Sequence, residues 1–162
     1  MSDTPGEIVD HYNRFDEQSR LLDGFGRLEW DRTLEILGHI LPSPPARILD
    51  VGGGPGRYAH HLTGEGYEVH LIDPVPKHVE QASAGAVASA AVGDARDLAH
   101  PDGSFDAVLL LGPLYHLPER FDRLRALGEA QRVLRPGGAV AAAAISRFAS
   151  AIDGLDREFL DD

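Results

Sequence analysis

The stretch LDVGGGPGRYA, residues 49–59, places four glycines and a proline in the five positions directly behind an apolar run that ends in Asp50 and Val51. Glycines permit a sharp turn from a strand into a helix, and they let a ligand approach the backbone without an intervening side chain. A pyrophosphate at such a turn needs helix N–H groups without a negative charge nearby, yet Asp50 immediately precedes this loop. The acid favours a ligand that carries an ammonium or sulfonium group.

The chain beyond this loop alternates between short apolar runs and helix-like runs. Strands are predicted at 46–51, 67–72, 86–92, 105–111 and 139–145, and helices at 55–64, 75–84 and 119–133. Short strands that alternate with helices predict a parallel sheet covered on both faces. Two of these runs, 86–92 and 139–145, are rich in alanine and would suit a helix on propensity alone, so their place in the alternation decides the assignment.

The N-terminal part has a different pattern. Apolar side chains at three- and four-residue spacing predict helices over 7–22 and 27–41, and PSPP at 42–45 ends the second helix. We expect residues 1–41 to form a helical cap within the same domain as a core that spans 42–162. The chain has no internal repeat or long polar linker that would indicate a second domain.

An acid stands at the end of each of the first three predicted strands. Asp73 lies 21 residues beyond Gly52, and Asp94 lies 21 residues beyond Asp73, so the acids recur once per strand and helix and share one edge of the sheet with Asp50. A carboxylate at Asp73 suits two ribose hydroxyls, and one at Asp94 suits an exocyclic amine such as N6 of adenine. The pattern predicts an adenosine with an amino-acid tail.

The composition limits the partners. With 26 acidic and 15 basic residues the net charge is −11, which argues against non-specific binding to nucleic acid or to an anionic membrane surface. There is no cysteine for a disulfide or a zinc site, and the eight histidines show no HExxH spacing, so we expect no metal. No signal-like segment and no run of about 18 apolar residues is present, so we expect a cytoplasmic protein without a membrane partner.

Five motifs in this order resemble those of the class I S-adenosylmethionine-dependent methyltransferases. They lie between about 46 and 146 and read ILDVGGGPGRYA, VHLIDP, VGDARDL, FDAVLLLGPLYHLPE and EAQRVLRPGGAVAAAAI. The resemblance implies a doubly wound, mostly parallel α/β sheet of the Rossmann-like type, with strand order 3-2-1-4-5 and N-terminal cap helices. It also implies methyl transfer from S-adenosylmethionine to a small-molecule acceptor, with S-adenosylhomocysteine as product. Against the resemblance we expect the sixth and seventh strands usual in the family to be absent from these 162 residues, so the activity of this short form is a separate question.

The resemblance implies residues for the methionine end of the cofactor. Asp50 would reach the amino group, directly or through water. Tyr12 and Arg20, in the predicted helix over 7–22, would close over the carboxylate. Backbone at this end would come from Gly52, Gly53, Gly54, Leu111 and Gly112.

The resemblance likewise implies residues for the adenosine end. Asp73 would hold the ribose hydroxyls, and Pro74 would pack near the adenine. Asp94 would accept a hydrogen bond from adenine N6, while the N–H of Ala95 would donate to a ring nitrogen.

No catalytic residue is assigned. A sulfonium is already a good leaving group, so in-line positioning of the nucleophile supplies much of the acceleration. His116 lies where a neutral imidazole could take a proton from an acceptor, but it also suits a structural role, and Tyr115 is no better defined.

Two other functions stay open from the sequence. Read from Gly54, GPGRYA satisfies GxGxxA, so that with Asp73 as the ribose acid the chain could be an NAD(P)-dependent oxidoreductase. A non-catalytic nucleotide-binding module that acts through a partner would suit the short C-terminus. The predicted fifth strand adds a further expectation, since 139–146 holds no Pro, Lys or charge to guard a sheet edge and could pair with another copy.

Overall fold

The computed structural model describes residues 24–146 and 148–149, which form a five-stranded sheet with helices on both faces. The strands are β1 Arg47–Val51, β2 Glu68–Asp73, β3 Ser89–Val92, β4 Phe105–Leu110 and β5 Leu134–Ala142. The helices are α1 Gly24–Ile40, α2 Arg57–Gly64, α3 Pro76–Ser83, α4 Pro113–His116 and α5 Arg120–Val133. The strand order is β3-β2-β1-β4-β5 and every pairing is parallel, so the predicted doubly wound topology is confirmed.

The strand register brings the ends of the strands together. Asp50 of β1 is opposite Leu71 of β2 and Leu109 of β4, and Asp73 at the end of β2 is opposite Val92 of β3. Parallel strands joined by helical crossovers all finish at the same edge of the sheet. The loops after β1, β2, β3 and β4 therefore meet at this carboxyl edge.

Each face of the sheet has its own apolar cluster. Ile48 of β1 belongs to the cluster that contains Leu37 of α1, whereas the next residue, Leu49, belongs to the cluster that contains Val133 of α5. Successive side chains of a strand point to opposite faces, so a strand buried on both faces must be apolar along its length. This explains the apolar run at 107–110 in β4, and why Asp50, a buried acid between Leu49 and Val51 of β1, is unusual.

The observed elements differ most from the predicted ones at β5, which runs over Leu134–Ala142 and not over 139–145, at β3 and at α4. β5 begins at Leu134, directly after α5, because Leu134 pairs with Phe105 before a register shift carries the RPGG segment at 135–138 out of the ladder. Pairing resumes between Ala107 and Ala139. β3 is shorter than predicted, and the one-turn helix α4 was not predicted.

The described residues leave the N-terminal cap untested and end the sheet at β5. The predicted helix over 7–22 lies outside them, so the cap of residues 1–41 stays a prediction. β5 has only β4 as a neighbour in the described part of the sheet. Among the described residues no helix has the length and apolar character that a membrane crossing requires.

Candidate functional site

A cavity of about 600 Å³ lies at the carboxyl edge of the sheet. This volume is within the range of roughly 300–1,000 Å³ typical of small-molecule sites. Tyr12 and Arg20 lie outside the described residues. The other ten residues predicted for the site all line this one cavity: Asp50, Gly52, Gly53, Gly54, Asp73, Pro74, Asp94, Ala95, Leu111 and Gly112.

The glycines of the loop after β1 are required for different reasons. A β-carbon on Gly52 would lie 2.7 Å from Cγ of Pro113, and one on Gly53 would lie 2.6 Å from Oδ2 of Asp50, so neither position has room for a side chain. Gly54 has open space around it, but its φ is +57°, a conformation that costs an L-residue energy. The loop thus exposes backbone to the cavity.

Asp50 is a buried acid within the loop. Its side chain is almost fully buried, and among the described residues nothing forms a hydrogen bond with its Oδ2 atom. Burial, and next the nearby charge of Asp73, raises the pKa of Asp50 to about 7. An unpartnered buried carboxylate is costly, and a cation beside it would remove that cost. The site is therefore suited to a ligand ammonium group.

Asp73 forms hydrogen bonds with two neighbouring segments of the backbone. Its Oδ2 atom accepts a 2.9 Å hydrogen bond from the N–H of Gly54, and its Oδ1 atom accepts one of 2.9 Å from the N–H of Val75. The Nδ1 atom of His78, also buried, lies 3.1 Å from Oδ1. Asp73 thus connects the glycine loop to the start of α3, and the sequence interpretation missed His78 in this role.

Asp94 is held by an arginine that the sequence interpretation also missed. The side chain of Arg96 donates to both carboxylate oxygens of Asp94, at distances of 2.6 Å to 3.1 Å, and its backbone N–H donates to Oδ1 at 2.8 Å. The same guanidinium donates at 3.0 Å to Oδ2 of Asp122 in α5. The Arg96 guanidinium holds the pKa of Asp94 below its usual range, so Asp94 is ionised at neutral pH.

The other side of the cavity is built by α1, α2 and α4. Glu29 of α1 and Arg57 of α2 line it, and the guanidinium of Arg57 lies 5.0 Å from the ring centroid of Trp30. Tyr115 and His116 of α4 line it as well. Nothing in this geometry assigns a catalytic role to His116, which stays a hypothesis. Within the described ranges no group of three or more metal-ligating side chains could hold a metal ion.

Comparison with known proteins identifies the family. The family described as "Methyltransferase domain" matches residues 49–142. The 27-O-demethylrifamycin SV methyltransferase of Amycolatopsis mediterranei is 34% identical over 144 residues, which cover 84% of this chain and 50% of the relative. An uncharacterized methyltransferase of Mycobacterium tuberculosis is 34% identical over 105 residues, which cover 64% of this chain and 42% of the relative.

A solved structure agrees with these matches. The structure of an S-adenosylmethionine-dependent methyltransferase from Methanosarcina mazei has a TM-score of 0.57 and 29% identity, over 62% of this chain and 52% of that one. The chain spans about half the length of the curated relatives it matches. None of these matches favours the nicotinamide alternative. By its motifs, its strand order and a family match over residues 49–142, the chain belongs to the class I S-adenosylmethionine-dependent methyltransferases.

Proposed function

We propose that this chain binds S-adenosylmethionine in the cavity at the carboxyl edge of the sheet and transfers the methyl group to a small-molecule acceptor. The observation that carries the proposal is the buried Oδ2 atom of Asp50 beside a glycine loop, which has no hydrogen-bond partner among the residues that the structure describes. A phosphate there would meet a negative charge, whereas the ammonium of an amino-acid tail would supply the missing partner. When bound, S-adenosylmethionine supplies a methyl group attached to a sulfonium sulfur. That sulfur is a good leaving group because it departs as the neutral thioether of S-adenosylhomocysteine.

The residues of the cavity divide between the two ends of the cofactor. At the methionine end Asp50 would bind the ammonium, and Tyr12 and Arg20 would close over the carboxylate. The backbone that would line this end belongs to Gly52, Gly53, Gly54, Leu111 and Gly112.

At the adenosine end the acids of β2 and β3 would act as acceptors. Asp73 would hold the ribose, next to Pro74 at the adenine. Asp94 would accept from adenine N6, and the Ala95 N–H would donate to a ring nitrogen. The contacts of Asp73 with Gly54 and Val75 support this assignment, since they hold the carboxylate in place before a ligand arrives.

Methyl transfer requires that the acceptor atom be held in line with the carbon–sulfur bond and away from water. In this chain Glu29, Tyr115 and His116 border the cavity and are the residues proposed to face the acceptor. A small-molecule acceptor agrees with the rifamycin methyltransferase among the relatives. The cytoplasmic location and pairing with a second copy stay predictions.

Isothermal titration with S-adenosylhomocysteine, NAD⁺ and ATP tests the proposal. At pH 8, where Asp50 is ionised, we expect binding of S-adenosylhomocysteine and weak or no binding of the two phosphate ligands, because their negative charge is brought against Asp50 in a chain of net charge −11. Tighter binding of NAD⁺ or ATP would contradict the assignment. Incubation with S-adenosylmethionine and a panel of phenols, alcohols and amines then tests turnover, with release of S-adenosylhomocysteine as the measured product.

A further inference from the structure

We infer that Arg96 is a positioning residue that gives the proposed adenine subsite its selectivity for an amino group, by holding the Asp94 carboxylate in one orientation and joining it to α5. The inference rests on the proposed binding of S-adenosylmethionine. It goes beyond that proposal because it concerns a residue that need not touch the methyl group and that acts through its neighbour.

The contacts of Arg96 occupy most of the hydrogen-bond acceptor sites of the Asp94 carboxylate. Arg96 donates from its backbone N–H to Oδ1, from Nε between the two oxygens, and from a terminal nitrogen to Oδ2. A carboxylate offers about four lone-pair sites in its plane, so three donors leave about one site free. The side chain of Asp94 is 43% exposed and lines the cavity, so this remaining site is accessible to a ligand.

Asp122 provides the second anchor for the guanidinium. Its Oδ2 atom accepts from Arg96 at 3.0 Å, and its side chain is only 21% exposed. Without Arg96, two carboxylates that now share one guanidinium would lose the cation that hydrogen-bonds both, and only the Coulombic attraction of Arg125 for Asp94 would remain against their mutual repulsion. We expect the more exposed Asp94 to turn toward solvent in that case. A planar guanidinium that binds two acids fixes their orientation in a way that a lysine ammonium does not.

The consequence for the ligand follows from hydrogen-bond chemistry. Adenine presents an N–H donor at N6, whereas hypoxanthine presents a carbonyl oxygen at the same position. A carboxylate held toward that position accepts from the first and repels the second. Selectivity for adenine therefore depends on the orientation of Asp94 and not only on its presence.

The test measures a ratio of affinities. S-adenosylhomocysteine and S-inosylhomocysteine are titrated into the unmodified chain, the Arg96→Ala variant and the Arg96→Lys variant. We expect the unmodified chain to prefer the adenosine ligand by at least about tenfold, and both variants to prefer it by roughly threefold or less. Arg96→Lys keeps the positive charge and replaces the fork, so it still tests the inference if Arg96→Ala does not fold.

Arg135→Ala is the matched control, because Arg135 also pairs with an acid, Asp106, but lies outside the cavity. Its ratio of affinities should equal that of the unmodified chain. A folded Arg96→Lys or Arg96→Ala variant that keeps the full ratio would overturn the inference and leave the proposed function intact. Failure of the unmodified chain to bind S-adenosylhomocysteine would instead overturn the proposed function itself.

Discussion

The backbone N–H of Gly54 donates a 2.9 Å hydrogen bond to Oδ2 of Asp73, which joins the glycine loop after β1 to the end of β2. The acid proposed to hold the ribose therefore also holds the loop proposed to receive the methionine part of the cofactor. Its other oxygen accepts from Val75 and adjoins His78. Substitution of Asp73 should consequently change stability and affinity together.

Asp73→Ala should lower the free energy of unfolding by roughly 2–4 kcal/mol, because buried backbone donors lose their acceptor. It should also weaken binding of S-adenosylhomocysteine by at least about tenfold, since charge-assisted hydrogen bonds are lost. Urea unfolding measures the first effect and calorimetry the second. Asp106→Ala is the control, because Asp106 also accepts a backbone N–H, from Arg47 at 2.7 Å, but lies outside the cavity. Unchanged affinity in Asp73→Ala would remove Asp73 from the ligand site.

A comparison of Gly54→Ala with Gly137→Ala should separate the stability cost of backbone strain from the loss of ligand contact. Gly54 and Gly137 both have a positive φ, of +57° and +82°, and a β-carbon at either position would meet nothing within 4 Å. Each change to Ala should therefore cost a similar amount of stability, about 1–2 kcal/mol. Only Gly54 lines the cavity, so only Gly54→Ala should weaken the binding of S-adenosylhomocysteine. Equal affinity in the two variants would mean that the loop is a turn without a ligand.

A parallel sheet could be predicted because short, largely apolar runs such as 107–110 alternate with helix-like runs, and the strand order was what the resemblance to the methyltransferase family implied. The start of β5 could not, because it depends on a register shift opposite Phe105 that only the paired strand reveals. The sequence PGG at 136–138, after α5, is typical of a turn. In the structure that turn is a bulge within the strand.

The acids at the strand ends could be placed at one edge from their spacing alone. Their protein partners could not. Arg96 is two residues from Asp94, but its second partner, Asp122, is 26 residues further along the chain and approaches only when α5 packs on the sheet. His78 points at Asp73 because α3 begins immediately after that strand, a side-chain direction that spacing does not specify.

The outer edge of β5 predicts self-association. Ala143 donates its N–H to Leu110 of β4, so by the alternation of a parallel strand the N–H of Ala142 points away from the sheet. Within the described residues no strand pairs with this outer edge, and an apolar edge without Pro or Lys tends to pair with another strand. We expect sedimentation to find a dimer or larger species, and Ala142→Pro to shift it toward monomer by removing an outward donor. A monodisperse monomer of the unmodified chain would contradict this prediction.

The buried acid at the end of β1 predicts a pH-dependent stability. Burial and the charge of Asp73 raise the pKa of Asp50 from 3.8 to about 7, so between these values the folded chain binds a proton that the unfolded chain has lost. This contribution to stability is complete below about pH 4 and is lost as the pH rises to 7, with an upper limit of about 4 kcal/mol. Asp50→Asn should therefore raise the free energy of unfolding at pH 8 and change it little at pH 4, as urea unfolding would measure. An equal effect at both values would contradict the raised pKa.

Ligand binding should reverse the preference of Asp50 for its proton. An ammonium placed beside the carboxyl group favours the ionised form, so S-adenosylhomocysteine should displace the proton below pH 7, and its affinity should rise from pH 5.5 to 7 and then level off. Calorimetry in two buffers of different ionisation enthalpy counts the released proton. Asp50→Asn keeps Asp73 and His78 but has neither a proton to release nor a negative charge for the ammonium. It should therefore bind S-adenosylhomocysteine weakly at every pH. The same pH dependence in wild type and variant would show that another group releases the proton, and that Asp50 does not bind the ammonium.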